Sequence, residues 1–248
     1  MALPKHYKLI ACEIMFREIC YCAAKSRNIV DIQFMPKGLH DLGETKMKAE
    51  LQSVIGQVDT TKYDAILLGY GLCNNGIRGL HAGLTMVIPR AHDCITLLVG
   101  SKEKYIDYFE KNPGTFFKSP GWVERDVSPN DSEQSVTSQL GMNKTYQEYL
   151  EKYGEENARY LMEALGDWLK NYKKLTYIDT QIGDFSEYKE LTRSQAKEKG
   201  WEYEELAGNV NILARLLNGE WDDRDFLVLP PHKQIQAVYD REEIIKYE

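Results

Sequence analysis

Two short apolar runs, residues 65–68 and 84–88, each end in small or polar residues, and each is followed by a cysteine, Cys73 and Cys94. A run of four or five apolar residues closed by Gly or Pro reads as a strand buried on both faces. Buried strands of this kind belong to parallel sheets, and a parallel sheet binds its ligands in the crevice beyond the carboxyl ends of its strands. Both cysteines therefore fall where an α/β protein keeps its chemistry.

The same rhythm runs along the chain. Residues 7–15 predict a first strand, with the apolar run 9–11 closed by Cys12 and Glu13. Residues 16–27 predict a helix that carries Ile19, Cys20 and Ala23 on one face. Residues 29–35 predict strand two, ended by Pro36 and Gly38, with His40 and Asp41 directly after it. Residues 44–58 form an amphipathic helical pattern, and 77–83 a short helix or turn. Residues 95–100 read as a fifth strand or a loop, 101–111 as a helix with Ser101 at its N-cap, and 112–126 as a loop over the sheet edge or a short strand. Residues 128–143 are the most polar and least periodic, which marks a mobile segment or lid; 146–170 read as one long helix that Gly154 breaks.

Strand and helix patterns then resume: strands over 175–179, 201–206 and 226–229, helices over 186–199 and 210–218, the last closed by Gly219. The tail fixes no element. The alternation predicts an α/β fold: a mostly parallel Rossmann-like sheet with flanking helices, whose second half extends the sheet or forms a second α/β lobe. One continuous or closely apposed sheet is the favoured form. The corresponding division is an N-terminal α/β half over 1–127, a polar loop or lid over 128–145 and a C-terminal α/β half over 146–248.

Charge narrows the function classes. The formal net charge is −7, and no basic stripe is interleaved with aromatics, so nucleic-acid binding is disfavoured. No apolar run approaches the roughly 18 residues that span a bilayer, and the N-terminus has no cleavage pattern, so a cytoplasmic protein with no membrane partner is expected. Five cysteines, an odd number, argue against a disulfide framework. Cys20 and Cys22 read as packing residues, because two positions apart on a helix point in different directions.

The residues just past the expected strands form one rim. Strand one delivers Cys12 and Glu13; strand two, His40 and Asp41; strand three, Cys73, Asn74 and Asn75; strand four, Arg90, His92, Asp93 and Cys94. In the second half Asp179, Thr180 and His232 hold equivalent places. Neighbouring parallel strands lie about 4.8 Å apart, so side chains at their ends are within mutual reach. Three thiols with an open fourth position suit a soft metal: Cys12, Cys73 and Cys94 would hold Zn or a [4Fe–4S] cluster with one iron left open to substrate. His40 or His92 would be the fourth ligand or, with Asp93, the acid/base group. Glu13, Asn74 and Arg90 would orient a small polar substrate or cofactor.

Two alternatives stand beside this. One is a metal-free binding module for an amine, an amino acid or a corrinoid fragment. The other is a thiol enzyme with Cys73 or Cys94 as nucleophile; a Cys–His pair would join Cys73 or Cys12 to His92 or His40. The loop GYGLCNNG lacks GxGxxG spacing and a following Lys-Ser/Thr pair, so tight turns around the cysteine outrank phosphate cradling. His81 and His232 read as packed or solvated histidines, and Trp122 as packing or an aromatic wall of the pocket.

The segments ACEIMFREI near the start, GLHD at 38–41, LLGYGLCNNG at 67–76, IPRAHDC at 88–94, GTFFKSPGWVE at 114–124 and AGNVNILARLLNGEWDDRDFLVLPP at 207–231 resemble the uncharacterised domain of unknown function family 1638. The resemblance covers nearly the whole chain. Its pattern matches Cys12, His40, Cys73, His92, Asp93 and Cys94; at Asn209 the chain departs from a more acidic position, so no role is assigned there. The resemblance implies a setting beside corrinoid-dependent methyltransferases. That points to a metal-dependent methyltransferase or an accessory of one-carbon metabolism, with a corrinoid supplied through a partner protein.

Overall fold

The computed structural model describes residues 3–73, 75–126, 155, 172–238, 240 and 243–248. Asn74, the expected lid over 128–143, and the long helix expected over 146–170 apart from Glu155 lie outside the described residues.

The first sheet begins with β1, His6–Cys12, whose last four residues are buried. A short 3-10 turn leads into α1, Phe16–Lys25. Strand β2, Ile29–Met35, pairs parallel with β1, and a 3-10 turn at Lys37–Leu42 leads into α2, Gly43–Gly56. Strands β3, Ala65–Gly69, and β4, Met86–Pro89, are buried at every position. This is why they show no alternation: a strand covered on both faces is apolar throughout.

Two helices follow, α3 at Cys94–Val99 and α4 at Lys102–Lys111. Strand β5, Thr115–Lys118, starts a second sheet and runs into α5, Pro120–Asp126. Strand β6, Lys174–Asp179, α6, Ser186–Lys199, and β7, Glu202–Ala207, complete that sheet, which is parallel throughout in the order β5-β6-β7. Helix α7, Asn211–Asn218, packs on α1. The chain then returns to the first sheet as β8, Phe226–Leu229, antiparallel to β4. A two-stranded ladder, β9 at Ile235–Ala237 with β10 at Ile245–Tyr247, closes the C-terminus.

The strand order of the first sheet is β2-β1-β3-β4-β8. The chain leaves β1 on one side, to β2, and comes back on the other, to β3. That reversal is a topological switch point, where the two outgoing connections diverge and leave a crevice at the carboxyl ends. The sequence reading favoured one continuous or closely apposed sheet; the described residues form two main sheets, and the halves exchange strands. β5 joins β6 and β7, while β8 joins β4.

One local expectation changes. Residues 95–100 are neither strand nor loop: α3 occupies them. The Asp93 carboxylate accepts the Thr96 N–H at 3.1 Å, and Gly100 ends the helix in the left-handed region at φ 79°. Both are standard helix terminators. Every residue of α3 is buried, so its sequence carries no amphipathic period to read. Residues 77–83, expected as a short helix or a turn, take the turn, followed by coil. Among the described residues no helix is long and apolar enough to cross a membrane.

Candidate functional site

The loop after β3 does not leave the sheet at once. Its Leu72 N–H donates to the Ala91 carbonyl at 2.8 Å and its Cys73 N–H to the His92 carbonyl at 2.9 Å. Backbone contact thus continues past the strand ends and carries Cys73 alongside the start of α3, where Cys94 sits. Gly71 makes the approach possible: a Cβ there would meet the Asp93 backbone nitrogen at 2.6 Å. Cys73 itself turns back at φ 46° and Asn75 at φ 66°. Non-glycine residues rarely hold that left-handed region, and such outliers gather at functional loops.

Cys12 reaches the same place from β1. It is fully buried, and its Sγ lies 3.6 Å from His40 Nε2, presented by the 3-10 turn after β2. Burial pushes the Cys12 thiol up to about 12. Burial also lifts Cys73 and Cys94 well above the ordinary thiol range; Asp93 and Cys12 add to the rise at Cys73, and Cys73, Asp93 and Cys12 add to it at Cys94. Backbone N–H groups pull the other way, that of Ile14 toward Cys12, those of Gly71 and Cys94 toward Cys73, and Cys94's own toward its sulfur. An N–H aimed at sulfur favours the thiolate. Metal-free, the buried sulfurs are neutral thiols in a setting that has donors ready for anions.

His40 is half-buried, and burial lowers its pKa while Asp93 opposes the change. Its imidazole is neutral at neutral pH and offers a lone pair. Asp93 has both carboxylate oxygens engaged: one accepts the Thr96 N–H and hydroxyl at 3.1 and 3.3 Å, the other the Tyr105 hydroxyl at 2.8 Å. It fixes α3, and with it Cys94, as well as Tyr105. His92 stands 6.4 Å from the Tyr105 ring, centroid to centroid.

His40, Cys73, Asn75, His92, Asp93 and Cys94 line one cavity of about 560 Å³. Its far wall is aromatic: Tyr105, Phe109, Phe116, Phe117, Trp122 and Tyr172. The thiol floor comes from the first sheet, and part of this wall comes from the second through β5. Volumes of roughly 300–1,000 Å³ are usual for small-molecule pockets.

Other expected site residues do not join this cavity. Arg90 faces a separate cavity of about 810 Å³, and its guanidinium donates to the Asp223 carbonyl at 2.9 Å, the Glu243 carbonyl at 2.8 Å and the Ile245 carbonyl. It clamps the C-terminal ladder to β4 rather than orienting a ligand over the thiols. Glu13 accepts the Lys37 N–H at 2.7 Å and pairs with Arg125 at 3.4 Å, so it ties the ends of β1 and β2 to α5. Asp179 pairs with Lys189 at 2.7 Å, and the Thr180 hydroxyl donates to Glu18 at 3.0 Å. His81 and His232 are exposed. Asn74 lies outside the described residues.

Tyr70 was not anticipated. It is almost fully buried, its ring centroid is 6.1 Å from that of His40, and its hydroxyl has no hydrogen-bond partner. Burial raises its pKa first, then the charges that Cys12, Cys73 and Cys94 would carry. The phenol packs beside His40 at the end of β3. Its position inside the glycine-flanked GYGLC turn was the available signal.

Among the described residues no three His, Cys, Asp or Glu side chains are grouped tightly enough to hold a metal ion as they stand. Cys12 and His40 are in contact at 3.6 Å, and His40 shares the cavity lining with Cys73 and Cys94.

Fold and site together define an α/β protein with a thiol-floored cavity at the carboxyl edge of a parallel sheet. The model of the family described as "Protein of unknown function (DUF1638)" matches residues 34–217, and the chain belongs to that family. The matched region holds His40, Cys73, His92, Asp93 and Cys94 and begins after Cys12 and Glu13. No curated protein and no solved structure matches the chain.

Proposed function

We propose that the cavity is a soft-metal centre that presents a small ligand to the ion, with Cys12, Cys73, Cys94 and His40 as the ligand set. The first half is read as a Rossmann-like doubly wound unit, with this centre at its switch point. The observation that carries the proposal is the contact of the Cys12 thiol with the His40 imidazole beside a cavity that His40, Cys73 and Cys94 line. Its geometry supports zinc. Tetrahedral Zn with bonds of about 2.3 Å to sulfur and 2.05 Å to nitrogen separates the two ligand atoms by about 3.6 Å. That is the Cys12 Sγ to His40 Nε2 distance, 3.6 Å. Cys73 and Cys94 complete the set by side-chain rotation, and the waiting N–H groups stabilise their thiolates. Three thiolates with an open position also suit a [4Fe–4S] cluster, which the same experiment distinguishes.

A bound zinc would deprotonate a thiol ligand that joined it at neutral pH. The chain's own residues do the rest. His92 faces the cavity as an acid/base group, Asp93 holds α3 and Tyr105 in place, and the aromatic wall excludes water. With the family setting taken into account, the reading is a metal-dependent methyltransferase or accessory in one-carbon metabolism, with a corrinoid protein as partner.

The test is metal analysis of protein purified without oxygen. About one equivalent of Zn or of a cluster is expected, with sharp loss in Cys73→Ser and Cys94→Ser. Less than about a tenth of an equivalent, with all three thiols freely titratable, overturns the proposal.

A second reading is a metal-free pocket for a small aromatic or apolar-bodied ligand. The aromatic wall and the lack of a closed ligand triad among the described residues favour it. It requires that Cys73→Ser bind ligand as the parent does. The thiol-nucleophile reading draws no support, because burial raises Cys73 and Cys94 away from the thiolate that would attack.

A further inference from the structure

We infer that Lys37 makes the cavity selective for a small carboxylate anion with an aromatic body, the carboxylate meeting the Lys37 ammonium and the ring lying on the aromatic wall. The inference rests on the cavity being a small-ligand pocket, which both readings above share, and it requires no metal ion. Lys37 lines the cavity and opens the 3-10 turn that also presents His40. It is 9 % exposed, and a lysine is seldom so covered. Its backbone N–H is fixed on Glu13 at 2.7 Å, which holds the turn against the end of β1.

Charge and hydrogen bonding on the lining decide the ligand class. Among the described residues that line the cavity, Lys37 is the only lysine or arginine and Asp93 the only carboxylate. Asp93 already accepts from the Thr96 N–H, the Thr96 hydroxyl and the Tyr105 hydroxyl. An ammonium carries three donors and no acceptor, so it can hold a protein neighbour and a ligand oxygen together. The ring nitrogens of His40 and His92 and the Asn75 amide can supply further donors. The ligand is therefore the partner that brings a charged acceptor. The wall sets its body: Phe116 and Tyr172 stand edge to face at 5.8 Å between centroids, and Tyr105 and Phe109 at 5.9 Å. A further ring joins such a surface by the same offset and edge-on contacts. An aromatic wall alone would equally receive an organic ammonium on its ring faces. A second cation beside the Lys37 ammonium is repelled, so the lysine favours the anion.

The test is calorimetric titration of the full chain with phenylacetate, phenylacetamide and phenethylamine, which share a phenyl ring and differ in the charge at the other end. Phenylacetate should bind about tenfold or more tighter than phenylacetamide, with phenethylamine the weakest. Lys37→Met should erase the preference for the acid and bind phenylacetamide as the parent does. Trp122→Ala, which trims the wall, should weaken acid and amide alike. Equal affinity for acid and amide in the parent, or a preference for the amine, overturns the inference and leaves the pocket reading standing. A Lys37→Met protein that still prefers the acid overturns it too, as does one that loses acid and amide together, since Lys37 would then only shape the cavity. Parent-like binding in Trp122→Ala overturns the placement of the ring. No binding of any of the three probes up to about 10 mM overturns the small-ligand reading of the cavity, and the inference with it.

Discussion

Replacing Gly71 by alanine should damage the site directly. The new Cβ would lie 2.6 Å from the Asp93 nitrogen, 2.8 Å from its Cα and 2.9 Å from the Ala91 carbonyl oxygen. Ordinary van der Waals contact begins near 3.4 Å, so the two segments must part by about 0.8 Å. All three obstacles are backbone, and no flexible side chain can give way. Overpacking of this kind costs about 1–3 kcal/mol. For a chain of this size each kcal/mol shifts Tm by about 2–4 °C, so a fall of roughly 2 to 12 °C is expected. The same separation draws Cys73 away from Cys94. Metal–ligand distances tolerate only about 0.2 Å, so metal content should fall along with Tm. Gly56→Ala is the control: it closes α2, nothing lies within 4 Å of its Cβ, and alanine favours a helix by up to about 1 kcal/mol. Thermal denaturation and metal analysis of both variants decide the matter. A Gly71→Ala protein with a Tm within about 1 °C of the parent and full metal content would falsify the close-approach argument.

Two further outcomes follow from residues outside the cavity. Glu18 on α1 is fully buried, and burial raises its pKa; the Thr180 hydroxyl and Arg125 oppose the rise and Glu124 adds to it. The folded state therefore keeps a proton that the unfolded chain loses near pH 4.3, so stability is greatest below that pH and declines as pH rises toward the folded value. Glu18→Gln should flatten this decline in urea midpoints measured from about pH 4 to 8; an unchanged slope rules Glu18 out as its source. Arg90→Ala strips the donor from three carbonyls and should cost about 1–3 kcal/mol and expose the C-terminal ladder to protease, with metal content unchanged; a loss of metal would show that Arg90 serves the centre after all.

Much of the first sheet was legible because each of its strands is short, apolar and bounded by Gly, Pro or charged residues. Strand β2 and helix α6 fall where the pattern placed them, at Ile29–Met35 and Ser186–Lys199. Helix α3 was not legible, since a segment buried on all sides has no period and ITLLV suits a strand equally well. The second sheet was hidden for a different reason. Strand β5 is only four residues long and pairs with β6, more than fifty positions away along the chain, and no local pattern reports a long-range partner.

Placement after strand ends brings His40, Cys73, His92, Asp93 and Cys94 onto one cavity, with Cys12 against His40, because strand ends map directly onto a rim. The same logic misplaced Arg90. Position gives the edge of the sheet but not the direction of a long side chain, and the carbonyls of Asp223, Glu243 and Ile245 compete for that guanidinium. Tyr70 and the aromatic wall went unread as a set, because aromatic residues are as common in any core as around a ligand.

X-ray absorption at the metal edge of the anaerobically purified protein asks whether sulfurs far apart in sequence share one ion. The account predicts a shell of three sulfurs at about 2.3 Å with one nitrogen at about 2.05 Å for zinc, reduced to two sulfurs in Cys12→Ser. A shell of nitrogen and oxygen alone, or one that Cys12→Ser leaves intact, would contradict it.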